Sequence, residues 1–291
     1  MGTFDGVHLG HMSIIGQMVA EAHAAGTVAV VVVFDPHPRQ VLDAFSAHTI
    51  RLLNTLEEKE RLLRGAGVDH FVVMPFTAEI ARLDYARFVK EYLFEPLHMQ
   101  RYYAGHDHGF GRDREGGFEA LAGLGESLGF SVLRVGATLE GGQAVSSSRI
   151  RRALEDGDVH CANRMLGYPY RLGGRVIYGN RIGNTIGYPT ANIAPGSPNK
   201  LIPAMGVYAV WVELNDQRYR GMLNIGIRPT IDLHAVTIEV NIFDFDKDIY
   251  GQPITVEFIG RIREEKKFKG LGELRAQLAR DREAALAILG A

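Results

Sequence analysis

Two histidines flank Leu9 and Gly10 at the end of the run Gly2-Thr3-Phe4-Asp5-Gly6-Val7-His8-Leu9-Gly10-His11. Apolar residues then recur at Met12, Ile15, Val19 and Ala22, the spacing of a helix. A helix N-terminus offers free N–H groups and a positive dipole end, so it favours phosphate. Gly10 lets a nucleotide approach the backbone. Two imidazoles there can stabilise charge developing on an attacked α-phosphate. Such chemistry needs no Ser, Cys or Lys nucleophile, because it is largely positioning and electrostatics. Gly6, His8, Gly10 and His11 are therefore candidate ligands for the phosphates of a nucleotide, with His8 and His11 as the candidate catalytic pair. Two histidines three apart also suit a metal or a plain surface helix start. A metal would want a third ligand, and nothing local marks one out.

Three further segments of the first half could serve such a site. Ser146-Ser147-Ser148-Arg149-Ile150-Arg151 precedes a helix expected over Arg152–Asp156. Serines there either cap the helix or, with Arg151, bind polyphosphate. Asp35-Pro36-His37-Pro38 follows the most apolar strand, where open α/β sheets bind ligands. A rigid proline turn whose histidine only caps something is the simpler account. Gly105-His106-Asp107-His108-Gly109-Phe110-Gly111 suits a ligand loop and an ordinary loop equally.

The second half has its own constellation. In Gly183-Asn184-Thr185-Ile186-Gly187-Tyr188-Pro189-Thr190-Ala191-Asn192, extended backbone at 190–192 points Thr190 and Asn192 to one side. A hydroxyl and an amide carbonyl are hard oxygen donors, suited to a Mg²⁺ that keeps waters and bridges ATP phosphates. Gly183 and its neighbouring glycines free backbone amides for phosphate. A turn followed by an edge strand explains the same letters. Glu239 sits in the alternating run Thr237-Ile238-Glu239-Val240-Asn241-Ile242-Phe243, sharing a face with Thr237 and Asn241. It is either a solvent-facing carboxylate or the base that takes a proton from a hydroxyl attacking ATP.

The elements that must position these residues fall into two kinds. Residues 28–34 are a continuous apolar run, as in a parallel strand covered on both faces; 68–74 and 130–135 are similar. Helical stretches near 56–64, 86–95 and 117–128 alternate with them, which predicts a parallel sheet with helices on both faces. After Gly167-Tyr168-Pro169-Tyr170 the pattern changes to short β-branched and aromatic runs at 174–178, 206–213, 218–225, 236–243 and 254–259. Those predict a barrel or sandwich. A closing helix near 271–289 carries the apolar stripe Leu271, Leu274, Leu278, Ala285 and Leu289, expected to pack on the core. Two domains, 1–166 and 167–291, suit a chain of 291 residues.

A net charge of −2 argues for neither a nucleic-acid nor an acidic-membrane partner. Cys161 is the single cysteine, so no internal disulfide forms and a reducing cytoplasm is the simplest setting. No apolar run reaches membrane-spanning length, and the first residues lack a signal-peptide pattern.

In order and spacing, the runs from Gly2 to His11, Phe34 to Pro38, Gly105 to Gly111 and Ser146 to Arg151 resemble the adenylyltransferase half of prokaryotic bifunctional riboflavin kinase/FAD synthetases. The second half resembles that family's riboflavin kinase module. Gly206-Val207-Tyr208, Asn224-Ile225-Gly226-Ile227-Arg228-Pro229-Thr230, Ile249-Tyr250-Gly251 and Ile262 to Phe268 carry the likeness with Pro-Thr-Ala-Asn and Glu239. Thr3 stands where the family usually has Asn, and His108 where it more often has Phe. The larger departure is at the start, which leaves no room for the family's first strand before Gly2.

The resemblance implies an α/β Rossmann-like nucleotidyltransferase domain followed by a six-stranded, all-β barrel with a C-terminal helix. It implies that His8, Gly10 and His11, completed by Ser147, Ser148 and Arg151, hold ATP in the first domain, with Asp107 near flavin or metal. It implies Mg²⁺–ATP on Thr190 and Asn192, Glu239 as the kinase base, and Arg263 near the flavin. The expected activity is phosphorylation of riboflavin to FMN, then adenylylation of FMN to FAD with release of pyrophosphate. The expected partners are ATP, riboflavin and FMN, in a monomer or weak homo-oligomer. The rivals are a kinase whose first domain is impaired, a cytidylyltransferase, which the barrel disfavours, and a non-catalytic flavin-binding protein.

Overall fold

Consecutive valines resist helix and favour extended backbone. Val30–Asp35 accordingly forms strand β1, with Val31, Val32, Val33 and Phe34 buried. It pairs in parallel with β2 (His70–Pro75), and β3 (Arg101–Gly105) pairs in parallel with β4 (Ser131–Val135). The computed structural model describes residues 1–42, 50–105, 117–179, 187–229 and 234–290. Helix Leu9–Ala24 precedes β1, Leu56–Gly65 lies between β1 and β2, and Phe118–Leu128 between β3 and β4. The helical stretch expected near 86–95 runs from Tyr85 to Leu97 through a π-helical turn, Val89–Phe94.

Among the described residues the four strands form two pairs rather than one hydrogen-bonded sheet. On the other edge of β1, the Gly2 N–H donates to the Val32 carbonyl at 2.9 Å, a single parallel bridge. Beside it lies a cleft of about 550 Å³, lined by Met1, Val30 and Val32 on one side and Arg101, Tyr102 and Tyr103 on the other. Glu21 of the first helix accepts hydrogen bonds there from Arg101 (2.6 Å) and Tyr103 (2.7 Å). None of the candidate site residues lines this cleft.

The chain divides into two compact units, Met1–Ser146 and Ser147–Ala291. Before the second begins, β5 (Leu139–Glu140) and β6 (Gln143–Ala144) make a small hairpin. The second unit opens with helices Ser147–Glu155 and Val159–Leu166. The first of these starts earlier than Arg152, so Ser147 and Ser148 sit in its first turn and only Ser146 precedes it. Asn163 joins the second helix to the strands that follow. Its amide donates to the Phe258 carbonyl (2.7 Å), and its oxygen accepts from the Tyr170 N–H (2.8 Å).

The strands β7 (Tyr170–Ile177), β8 (Ala191–Pro195), β9 (Gly206–Leu214), β10 (Gln217–Pro229), β11 (His234–Ile242) and β12 (Pro253–Arg263) close into a barrel. Its order is β10-β11-β8-β7-β12-β9, and every pair is antiparallel. Asn215 and Asp216 make the β9–β10 hairpin with φ of 50° and 59°, the left-handed pair a two-residue turn needs. Alternation sends Val176, Ile193, Leu223, Ile225, Ile238 and Val240 inward, all buried. The helix Leu271–Leu289 covers part of the outer face, where Ala285 and Leu289 pack with Ala209, Met222 and Phe243. The expected core stripe fails at its first member: Leu271, at the helix start, stays 58% exposed.

Candidate active site

The first unit builds a tight turn at Phe4–His8. Phe4, Gly6 and Val7 have φ of 44°, 91° and 33°, a conformation that only glycine adopts without strain. Asp5 holds it there. Its carboxylate is 1% exposed and accepts from the N–H groups of Leu53 (3.0 Å) and Asn54 (3.3 Å). Thr55 follows at once, capping the helix Leu56–Gly65 in a reciprocal box with Glu58.

The histidines divide their work. His8 caps the first helix, its Nδ1 accepting from the His11 N–H at 3.4 Å. The two rings stack with centroids 3.7 Å apart, and Phe4 lies 5.1 Å from His11. Gly10 lies against this stack: a Cβ there would stand 3.2 Å from the His8 ring. His11 Nδ1 is buried without a hydrogen-bond partner among the described residues. Burial, then the neighbouring His8 and Lys59, hold the His11 pKa well below its ordinary 6.5. The ring is therefore neutral at pH 7, with a buried polar atom able to meet a ligand.

Lys59, 3% exposed, supplies positive charge near His11. Sequence reasoning passed over it, although a lysine on the same helical face as Leu56 and Leu63 was a visible signal. Asp5 lies in the run from Gly2 to His11, but its role depends on Leu53 and Asn54, far off in sequence. His37 does what a turn histidine does, its Nδ1 accepting from the Arg39 N–H at 3.1 Å. Ser147, Ser148 and Arg151 lie in the first helix of the second unit. Asp107 and Gly183 lie outside the described residues.

On the barrel, strand register joins what the sequence separated. Glu239 stands directly opposite Asn192 of β8. The Thr190 hydroxyl donates to Glu239 Oε2 at 3.4 Å. Thr190, Asn192 and Glu239 thus form one oxygen-rich cluster, and Asn241 fixes its approach by donating to the Pro189 carbonyl at 2.7 Å. Asn192 packs so closely on Gly179 that any Cβ there would collide with its amide. Arg263 is on the same face, but its guanidinium is engaged by Asp281, which is 1% exposed, with Nε–Oδ1 3.0 Å and Nη2–Oδ2 2.8 Å.

No group of three or more His, Cys, Asp or Glu able to hold a metal occurs among the described residues. A hydroxyl, a carboxamide oxygen and one carboxylate do fit a hard divalent ion that keeps waters and takes its remaining ligands from phosphate.

Comparison with known proteins bears on both halves. The family model for FAD synthetase matches residues 1–149, and that for riboflavin kinase matches residues 166–289. A bifunctional riboflavin kinase/FMN adenylyltransferase from Listeria monocytogenes is 39% identical over 97% of this chain and 89% of its own length. Proteins of the same name from Bacillus subtilis and Escherichia coli are 37% and 35% identical, each over at least 90% of its own length. A solved structure from Streptococcus pneumoniae, described as a macrolide-efflux protein, superposes with a TM-score of 0.89 at 33% identity. It covers 98% of this chain and 92% of its own. Among the described residues, no helix of this chain is long and apolar enough to cross a membrane.

Proposed function

The chain belongs to the bifunctional riboflavin kinase/FMN adenylyltransferases, and from that premise we propose which of its residues carry each reaction. It phosphorylates riboflavin to FMN with ATP, and it adenylylates FMN to FAD with a second ATP, releasing pyrophosphate.

In the kinase, Glu239 takes the proton of the ribityl 5′-hydroxyl as that oxygen attacks the γ-phosphorus and ADP leaves. Thr190 and Asn192 would hold Mg²⁺–ATP beside it, and the role of Gly183 toward ATP rests on the family motif. Mg²⁺, when bound, supplies charge neutralisation for the transferring phosphoryl group. The observation that carries this assignment is the meeting of Thr190, Asn192 and Glu239 from two strands and a loop.

In the adenylyltransferase, an FMN phosphate oxygen attacks the α-phosphorus of ATP. Gly6, His8, Gly10 and His11 bind the phosphates, and the imidazoles stabilise the charge that develops. The roles of Ser147, Ser148 and Arg151 toward ATP, and of Asp107 and Arg263 toward flavin, rest on the family motifs. So do the boundaries 1–166 and 167–291. A cytoplasmic monomer or weak homo-oligomer, with no nucleic-acid or membrane partner, completes the proposal.

The experiment is incubation with riboflavin, ATP and Mg²⁺, followed by chromatography of the flavins over time. FMN should appear first and FAD after it. FMN alone would mean an impaired first domain, and unchanged riboflavin would overturn the assignment.

A further inference from the structure

One row of directly opposed residues crosses the outer face of the barrel. It runs Ile177, Asn192, Glu239, Asn224, Val207, Arg263, each on the next strand. Neighbouring backbones in such a row are about 4.8 Å apart, and opposed side chains share a face. Asn224 is thus the neighbour of Glu239 on the side away from Asn192, between the base and Arg263.

Leu223 and Ile225, which flank Asn224 along β10, point inward and are buried. The Asn224 amide stays outside, half-buried, and makes no hydrogen bond among the described residues. Gly226 is the next outward position of the same strand. Glu265 occupies the space its missing side chain leaves, and the Asn224 amide lies 3.1 Å from where a Cβ would stand. An amide flanked by two carboxylates is a fitting seat for a hydroxylated chain, because each alcohol both donates and accepts.

We propose that Asn224 is a substrate-binding residue of the kinase, its amide N–H donating to the acceptor alcohol and holding that oxygen beside Glu239. Glu265, lodged over Gly226, walls the subsite on its other side. The alcohol's proton passes to Glu239, the new O–P bond forms at the γ-phosphorus, and the bond to ADP breaks. This inference rests on Glu239 being the base.

The test is steady-state kinetics of the full chain with riboflavin and ATP varied separately. Asn224→Ala should raise the KM for riboflavin about tenfold, the weight of one well-placed hydrogen bond. The KM for ATP and FAD formation from supplied FMN should stay as they were. Asn224→Gln keeps an amide donor at the same position and should restore part of the riboflavin KM lost in Asn224→Ala, a rescue that a purely structural role does not produce. An unchanged riboflavin KM in Asn224→Ala, or a KM in Asn224→Gln no better than in Asn224→Ala, overturns the proposal. Glu239→Gln, assayed alongside, separates the two levels. If it makes FMN at the parent rate, the base assignment falls and this inference with it; if it is slowed by about 10²-fold or more while Asn224→Ala is indifferent, only this inference falls.

Discussion

The Thr190 hydroxyl donates to the Glu239 carboxylate at 3.4 Å, although 49 positions of chain separate them. The bond ties a proposed phosphate-and-metal ligand to the proposed base, and the antiparallel pairing of β8 with β11 makes it possible. Glu239→Gln keeps the shape of this cluster and removes the base. FMN formation should fall by about 10²-fold or more, while FAD formation from supplied FMN persists. Assay of both products in the same preparation decides it; equal loss of both activities would remove Glu239 from the kinase alone.

Thr190→Val and Asn192→Leu each delete one oxygen donor and keep side-chain volume nearly constant. Each should lower kcat/KM for ATP about tenfold or more, the rate equivalent of roughly 1.4 kcal/mol. Raised Mg²⁺ should restore part of the loss. A titration of rate against Mg²⁺ reads this directly, and rates indifferent to both changes would reduce Pro-Thr-Ala-Asn to a turn.

His11→Ala should abolish FAD formation and leave FMN formation intact, because the imidazole matters mainly in the transition state. It should also change how stability depends on pH. Native His11 titrates well below 6.5, chiefly through burial, whereas in the unfolded chain it titrates near 6.5. Below pH 6.5 the unfolded chain therefore binds a proton that the native chain refuses, so His11 lowers stability as the solution is acidified. One such proton is worth about 1.4 kcal/mol per pH unit. Denaturant unfolding of the first unit between pH 5 and 8, compared with His11→Ala, should show that slope reduced in the variant.

A fragment starting at Ser147 should make FMN and no FAD. It should also unfold at a higher temperature than one starting at Gly167. The shorter fragment loses Asn163, whose side chain satisfies the Phe258 carbonyl and the Tyr170 N–H, and it loses the buried Met165 and Leu166. Equal melting temperatures would show that the two helices contribute nothing to the barrel.

Local pattern was enough for much of this protein. The valines at 30–33 read as a covered strand, the alternation around Glu239 as a half-buried one, and the letters up to His11 as the approach to a helix, and all three elements are present. These are properties of neighbours in the chain, where period and turn chemistry act directly. The tertiary structure decided what depends on distant residues. The Asp5 carboxylate serves Leu53 and Asn54, and Lys59 is buried near His11 rather than solvated. Arg263 is gripped by Asp281. Register alone brings Asn192, Glu239 and Asn224 into one row, because a barrel's pairing is a closure condition on all its strands at once, and no single stretch of sequence contains it.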